Sequence, residues 1–351
     1  MGKTNTGNYF EDFEIGRILR HATPRTVTLG DAALYTALFG PRFALTSSDE
    51  FARSLGLACA PIDDLLAFHV IFGKTVPDIS LNAVANLGYA DCRFLAPVFP
   101  GDTLSATSEI IGLRELSNGK SGIVYVRSAG VNQRHEVVLD YVRWVMVRKR
   151  DEKAPARPGG VPELPQAVAA QDLAVPPGLN FSGFNCELSG SPHLWEDYEI
   201  GENIDHVDGM TIEEAEHMMA TRLYQNTAKV HFNQFMQNSG NDGRRLVYGG
   251  HVISLARALS FNGLANGVKI AAINGGRHVG PCHAGHTVFA WSEILDKAEI
   301  SGRKDVGALR VRLFATKDQP CTEFPGATET GHHPSVILDL DYWLLMGRRE
   351  F

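Results

Sequence analysis

The chain has 351 residues, of which 44% are hydrophobic and 21% are charged, and its formal net charge at pH 7 is −7. A typical domain has about 150 residues, so this length predicts two folded units, and the composition excludes a disordered chain. Lysine and arginine are scattered along the sequence rather than clustered. This pattern argues against nucleic acid as a partner.

The cysteine pattern predicts reduced thiols. The chain has five cysteines, an odd number with no Cys-x-x-Cys pair, and we therefore expect a cytoplasmic protein. Apolar stretches such as Leu65–Phe72 are much shorter than the ~20 residues that cross a bilayer. The sequence predicts no membrane-spanning segment.

In chain order, the first predicted helix is Leu29–Phe39, which begins at the capping box Thr28-Leu29-Gly30-Asp31. A second helical stretch is predicted near Asp63–Phe72. Strands follow, including Ser121–Ala129 and Val137–Arg148, which are rich in Val, Tyr and Trp and are bounded by turn residues. This order predicts an α+β fold in which an antiparallel sheet packs on a long helix.

The same order of motifs then repeats. Residues Phe10–Gly16 recur 185 positions later as Trp195–Gly201. The capping box recurs 183 positions later as Thr211–Glu214, which is predicted to begin the corresponding helix. Six residues of the first copy also recur 184 positions later: Arg93, Pro97, Gly101, Thr103, Glu109 and Ile110 correspond to Arg277, Pro281, Gly285, Thr287, Glu293 and Ile294. A Pro-, Gly- and His-rich insertion, Lys317–Pro334, precedes the last predicted strand of the second copy. Two copies of one domain are therefore predicted.

The region between the copies is predicted to be an extended linker. Residues Asp151–Leu179 contain six of the 17 prolines and have no sustained apolar period. The predicted organisation is a first domain at residues 1–150, a linker at 151–179 and a second domain at 180–351.

Two motifs carry a resemblance to a known family. The entry turn Glu-Asp-Phe/Tyr-Glu-Ile-Gly and the segment Arg93–Leu104, which reads Arg-Phe-Leu-Ala-Pro-Val-Phe-Pro-Gly-Asp-Thr-Leu, resemble the MaoC-type hydratases. That family has the hot-dog fold and acts on acyl-CoA thioesters. The resemblance covers both halves, so it implies a tandem (double) hot-dog in which each half is a central helix wrapped by an antiparallel sheet.

Over the full length, including the stretch from Arg222, the sequence is similar to the mesaconyl-CoA (2-methylfumaryl-CoA) hydratases of this family. The resemblance implies a hydro-lyase that reversibly converts mesaconyl-CoA to β-methylmalyl-CoA. It also implies a setting in bacterial acyl-CoA metabolism such as the ethylmalonyl-CoA pathway, with an acyl-CoA thioester as the substrate and no cofactor.

The catalytic motif of the family falls on the second half of the chain. Its Gly-Asp-x-Asn-Pro-Leu-His pattern aligns with Gln225–His231, so its His corresponds to His231 and its Asp to Asn226. The helix-opening Gly of the family corresponds to Gly249. The departure at Asn226 leaves His231 as the implied catalytic acid/base.

The first half has lost the same motif. The corresponding stretch, Gly40–Thr46, has Pro41 and Thr46 in place of the Asp and the His, and the counterpart of Gly249 is Asp64. We therefore expect one active site per chain, built at the interface between the halves, with the first half supplying walls.

Hydration of a double bond conjugated to a thioester needs a base for water, an acid for Cα and donors for the thioester oxygen. His231 titrates in the right range, whereas Asn226 cannot take a proton and could only orient water or substrate. His231 then carries most of the proton transfer, or a second acid assists it. The candidates for that acid are Asp63, Asp64 and Asp242.

Two further groups are assigned to substrate binding. Gly249 and Gly250 precede the apolar run Val252–Leu259, so their N–H groups would lie at a helix N-terminus and form an oxyanion site. Arg244 and Arg245 are the chosen partners for the distal carboxylate of mesaconyl-CoA, with Arg222 and Arg42 also flanking the motif.

Other interpretations stay open at this stage. A hot-dog thioesterase, a different (R)-specific enoyl-CoA hydratase and a non-catalytic acyl-CoA-binding module would each use the same scaffold. The group His278, Cys282, His283 and His286 has metal-binding residue types, but the first copy has no matching ligands, so no metal is predicted. A homodimer is a further prediction.

Overall fold

The structure is a computed structural model that describes residues 3–155, 158–238, 243–322, 327–328 and 331–349. Its main feature is one antiparallel sheet of ten strands, to which each half of the chain contributes five. Two long helices, one from each half, contribute to the largest buried core. This arrangement confirms the predicted α+β class.

The described part of the first half contains four α-helices and five strands. In chain order they are β1 (Ile18–Thr26), α1 (Leu29–Phe39), α2 (Ala44–Ser47), α3 (Asp49–Ser54), α4 (Asp64–Ile79), β2 (Ala83–Phe94), β3 (Thr103–Glu115), β4 (Ser121–Val131) and β5 (Val137–Arg148).

The second half repeats this order in its long helix and five long strands, with short helices before its first strand and after its long helix, and a small hairpin before its last strand. Its elements are α5 (Cys186–Ser189), β6 (Asn203–Thr211), α6 (Glu214–Leu223), α7 (Gln234–Gln237), α8 (Gly249–Leu259), α9 (Phe261–Leu264), β7 (Gly267–His278), β8 (Thr287–Glu299), β9 (Val306–Lys317), β10 (Ala327–Thr328), β11 (Gly331–His332) and β12 (Val336–Gly347).

The two halves join through their equivalent strands. The sheet order is β1-β3-β4-β5-β2-β7-β12-β9-β8-β6, so β2 and β7 meet at the centre. Their register pairs Cys92 with Ile273, and Tyr89 with Gly276. Ile273 is the equivalent of Tyr89, and Gly276 is the equivalent of Cys92, each 184 positions later. Each pair therefore joins one residue to the equivalent of the other, which means that an approximate two-fold axis relates the halves.

Helices α4 and α8 are buried on almost every face. Every residue of α4 from Leu65 to Val76 is buried, as is every residue of α8 from Gly250 to Leu259. Both helices therefore lie inside the protein rather than on its surface. Side chains from both helices belong to one core that crosses the boundary between the halves.

The prediction for the start of the second-half helix was wrong. Helix α6 begins at Glu214, with Glu213 rather than Thr211 as its N-cap. Thr211 instead ends β6 and its hydroxyl bonds to that of Thr287 at 2.8 Å, as Thr26 bonds to Thr103 in the first half. The equivalent of the Thr28 cap is therefore Glu213, and the two halves correspond 185 positions apart here.

The segment between the halves packs on the sheet. The indole Nε1 of Trp343 donates to the Val168 carbonyl at 2.9 Å, and the Val168 N–H donates to the Asn274 side chain at 2.9 Å. Leu113 and Gly160 form an isolated bridge. All five cysteines are free thiols. No helix in the described ranges is long and apolar enough to cross a bilayer.

Candidate active site

His231 is held in one tautomer at the end of a short 3-10 turn, Lys229–His231. Its Nδ1 lies 2.9 Å from the carbonyl oxygen of Leu246. A carbonyl only accepts, so Nδ1 carries the proton and Nε2 has its lone pair available in the neutral ring. The ring also lies edge-on to Tyr248, with 5.5 Å between centroids. The imidazole is therefore prepared to accept a proton at Nε2.

Burial lowers the pKa of His231 to about 4, with a smaller contribution from nearby His217, while the bond to Leu246 opposes the shift. The imidazole is therefore neutral at pH 7, which is the form that a general base requires.

Helix α8 begins beside this imidazole and has no side-chain cap. Its N-cap is Tyr248, which makes no cap hydrogen bond, and Gly249 and Gly250 are its first two residues. The first N–H groups of a helix have no partner within the helix and carry partial positive charge. These N–H groups can bind a developing oxyanion.

The two glycines have different surroundings. A Cβ at Gly249 would come within 2.3–2.6 Å of the His278 ring, and a Cβ at Gly250 within 2.4–2.6 Å of the His69 ring. Gly249 is half-buried and Gly250 is buried. Gly250 therefore lets α4 and α8 approach each other, and Gly249 is the better placed of the two for a ligand.

His278 and Tyr89 join the site from the central strand pair, and the sequence analysis did not assign them to it. The Nε2 of His278 lies 3.2 Å from the Tyr89 hydroxyl. Burial, with the neighbouring His231, lowers the pKa of His278 to about 4. His278 thus lies near both His231 and Gly249. The repeat could not reveal it, because the equivalent residue in the first copy is Phe94.

A buried hydrogen-bond chain also connects the halves at this point. The Tyr35 hydroxyl donates to Ser254 Oγ at 2.9 Å, Ser254 Oγ lies 3.1 Å from His69 Nε2, and His69 Nδ1 lies 3.3 Å from the Tyr248 hydroxyl. Tyr35 and His69 come from the first half. Nothing in the sequence indicated Tyr35 or His69, because their roles depend on how the two halves pack together.

Asn226 is buried, and its side chain stabilises the turn that precedes His231. Its Oδ1 accepts from the Ala228 N–H at 2.9 Å. Gln225, just before it, has a positive φ of 53°, and the Tyr224 carbonyl lies where a Cβ on Gly73 of α4 would clash. The turn is therefore pressed against the first-half helix, and Asn226 fixes its shape.

The arginines chosen from the sequence lie beside the motif and make contacts of their own, with Arg245 directly preceding the Leu246 carbonyl that binds His231. The Arg245 guanidinium forms an ion pair with Glu214 of α6, and Glu214 also lies 3.2 Å from His217 Nε2. Arg244 and Arg222 are exposed. The Arg42 guanidinium stacks on Phe261 at 4.5 Å. Arg245 would have to exchange its carboxylate partner before it could bind a substrate carboxylate.

The two described candidates for a second acid lie at the start of α4. Asp63 caps that helix by accepting from the Leu65 N–H at 2.9 Å, and burial together with Asp64 raises the pKa of Asp63 to about 6. Asp64 pairs with Lys269 at 2.5 Å. In the described chain, neither carboxylate contacts His231. The third candidate, Asp242, lies outside the described residues.

The described residues contain no group of three or more His, Cys, Asp or Glu side chains arranged to hold a metal ion. His286 pairs with Asp318 at 2.5 Å, His283 Nδ1 donates to the Arg245 carbonyl at 2.9 Å, and Cys282 is buried.

Comparison with known proteins identifies the family. The family model for mesaconyl-CoA hydratase matches residues 2–328. The chain belongs to the mesaconyl-CoA hydratase family. It is 64% identical over 348 residues to the β-methylmalyl-CoA dehydratase of Chloroflexus aurantiacus, covering 99% of both chains. It is 61% identical over 347 residues to the mesaconyl-CoA hydratase of Cereibacter sphaeroides, covering 99% of this chain and 100% of the relative.

Solved structures agree on the fold of this mesaconyl-CoA hydratase family member. A crystal structure of a MaoC domain protein dehydratase from Chloroflexus aurantiacus matches with a TM-score of 0.97 and 64% identity over 99% of this chain and 100% of that one. A Mycobacterium tuberculosis protein with a double hotdog fold matches with a TM-score of 0.73 and 24% identity over 98% and 99% of the two chains. The predicted double hot-dog architecture is confirmed.

Proposed function

We propose that this family member hydrates mesaconyl-CoA to β-methylmalyl-CoA at one site per chain, in its second half, with His231 as the acid/base. The family and the two relatives support the hydro-lyase activity and the acyl-CoA substrate. The observation that carries the site assignment is the fixed tautomer of His231 beside the uncapped start of α8.

The proposed reaction follows from this geometry. Neutral His231 accepts a proton from water at Nε2 while the water oxygen bonds to Cβ of the enoyl group. The electron pair of the double bond moves toward the thioester, and the N–H groups at the start of α8, above all that of Gly249, stabilise the enolate-like oxygen. His231 then returns the proton to Cα, which balances the addition of one water. Asn226 supports this step by fixing the turn that carries His231.

The first half contributes structure rather than a second reaction centre in this proposal. Its His69 and Tyr89 bond to Tyr248 and His278, which line the site. We retain the division into residues 1–150, 151–179 and 180–351 as part of the proposal. A homodimer and a cytoplasmic location stay predictions from the sequence.

The test is parallel incubation with mesaconyl-CoA and crotonyl-CoA, with products followed by mass and free thiol measured separately. We expect mesaconyl-CoA to gain one water with no thiol release, and crotonyl-CoA to react far more slowly. Thiol release without addition of water would identify a thioesterase. Binding of both esters without turnover would identify a non-catalytic module. Preferred hydration of crotonyl-CoA would identify a different enoyl-CoA hydratase.

A further inference from the structure

Arg143 of β5 is a fully buried cation that pairs with no carboxylate among the described residues. Its Nη2 donates to the Thr75 hydroxyl at 2.8 Å, Nη1 and Nη2 both lie 3.4 Å from the Ser80 hydroxyl, and the guanidinium lies 4.2 Å from the Phe72 ring centroid. Its Nε has no partner. Within the described chain, no carboxylate oxygen lies within 4.0 Å of its nitrogens. Burying an unpaired charge is costly, so an anion is expected to compensate it.

Asn86 of β2 adds two further unsatisfied atoms on the same face of the sheet. Both Oδ1 and Nδ2 of Asn86 are buried and without a hydrogen-bond partner. In the antiparallel β2–β5 pair, Asn86 lies opposite Val145 and Tyr89 lies opposite Arg143. Directly opposed residues point to one side of a sheet, and so do residues two apart on one strand. Asn86 and Arg143 therefore face the same helix layer.

The approximate two-fold axis gives Arg143 a counterpart in the other half. The Arg257 guanidinium is also buried, and its Nη1 donates to the Ser260 hydroxyl at 2.9 Å. Ser260 is the equivalent of Thr75, 185 positions later. The two guanidinium groups therefore occupy equivalent places, although Arg257 comes from a helix and Arg143 from a strand.

The Arg257 guanidinium borders a small cavity at the degenerate first-half motif, lined by Phe43, Thr46, Asp63, Asp64, Arg257, Val268 and Ile270. The axis relates Thr46 to His231, Asp64 to Gly249, and Ile270 to Asn86. The symmetry-related position in the other half therefore lies among the proposed catalytic imidazole, the start of α8 and the Arg143 guanidinium. A contact agrees with this placement: Phe72, under Arg143, lies 5.7 Å from Tyr248 between ring centroids.

The two spaces differ in charge. At the first-half space the chain itself supplies carboxylates, since Asp63 and Asp64 face Arg257. At the second-half space the equivalent residues are Tyr248 and Gly249, which supply none. The anion that Arg143 lacks would then have to arrive with a ligand.

We propose that Arg143, assisted by the Asn86 amide, binds the free carboxylate of a dicarboxylic acyl-CoA. This inference rests on the proposed function and replaces the expectation that Arg244 or Arg245 does so. The planar guanidinium and the amide both match a carboxylate, and the buried setting makes the pairing selective. A substrate with a methyl group in place of the carboxylate would leave these polar atoms unpaired.

The test measures binding of two unreactive saturated thioesters, methylsuccinyl-CoA and 2-methylbutyryl-CoA, which differ only by a carboxylate in place of a methyl group. We expect the wild type to prefer methylsuccinyl-CoA, and Arg143→Gln to reduce that preference at least about 100-fold by weakening the carboxylate ester alone. The matched control Arg257→Gln should leave the preference unchanged. Equal weakening of both esters by Arg143→Gln, or an unchanged preference, would overturn the proposal.

A second variant protects the test against misfolding. Asn86→Leu keeps the guanidinium and removes the amide, and we expect it to lower the preference by about tenfold. If Arg143→Gln does not fold, an unchanged preference in Asn86→Leu overturns the proposal. Because neither ester is turned over, the result is independent of activity. Failure of the wild type to hydrate mesaconyl-CoA would instead count against the proposed function.

Discussion

The starts of the two central helices show how one backbone feature serves two purposes. In the first half, the Asp63 carboxylate caps α4 and Asp64 pairs with Lys269, so the chain satisfies its own helix N-terminus. In the second half, Tyr248 provides no side-chain cap for α8, and the first residue of the helix is Gly249, which has no side chain. The same partial positive charge thus meets a capping carboxylate in one half and no capping side chain in the other. The difference lies in two side chains rather than in the fold.

The largest effect should come from His231, whose first-half equivalent is Thr46. We expect His231→Gln to lower kcat for hydration of mesaconyl-CoA about 1,000-fold, because general base catalysis is lost while the residue can still hydrogen-bond. The readout is loss of enoyl absorbance. The matched variant Thr46→Ala in the first half should retain wild-type activity. Comparable losses in both variants would mean that the halves do not differ in the way described.

The next effect should come from the glycine at the start of α8. Gly249→Ala places a Cβ against the His278 ring, so either the ring or the helix start must move. We expect kcat/KM to fall about 100-fold, since small displacements of catalytic groups have effects of this size. Gly275→Ala, where the nearest atom to a new Cβ is 4.0 Å away, is the control. Wild-type activity in Gly249→Ala would argue against the oxyanion role.

A substitution at Asp64, the first-half equivalent of Gly249, should change stability rather than catalysis. Asp64→Asn removes a charge partner from Lys269, whose side chain is only 4% exposed. We expect a loss of about 2–3 kcal/mol in the free energy of unfolding with unchanged kcat. Denaturant titration and steady-state kinetics measure the two quantities. A loss of activity at wild-type stability would show that the first-half helix start takes part in the reaction.

The smallest effect concerns pH. Since burial lowers the pKa of His231 to about 4, the base form of the imidazole is retained as pH falls and is lost only near pH 4. We therefore expect kcat/KM to change less than about twofold between pH 7 and pH 5.5. A profile with its acid midpoint at 6.5, the usual pKa of histidine, would show that His231 is not desolvated or is not the base.

The sequence was sufficient for features that depend on local pattern or on internal repetition. Helix Leu29–Phe39 and strand Val137–Arg148 lie where capping and β-propensity predict them. The family resemblance, applied to both copies, assigned the motif histidine to His231 in one half, where the other has Thr46. Helix α4 extends to Ile79 rather than Phe72 because burial, which a local pattern does not report, stabilises its last turns.

Residues that act across the two halves could not be found in this way. His69 and Tyr89 reach the site only because α4 crosses α8 and β2 pairs with β7. Arg143 lies in a strand whose neighbours in sequence are apolar, so only its burial without a carboxylate distinguishes it. Arg245 was chosen for its closeness in sequence to the motif, but tertiary packing directs it to Glu214.

The central β2–β7 pairing also explains how this asymmetry could arise. When two identical subunits form such a sheet, one gene encodes both, and every substitution is made twice. A substitution that places a capping carboxylate at one helix start would then place one at the other as well, and no uncapped start would remain. Joining the two copies in one chain removes that constraint. Each copy can then be substituted independently while the chain keeps the two copies together. The two helix starts could thereby acquire different side chains, Asp63 and Asp64 in one half and Tyr248 and Gly249 in the other.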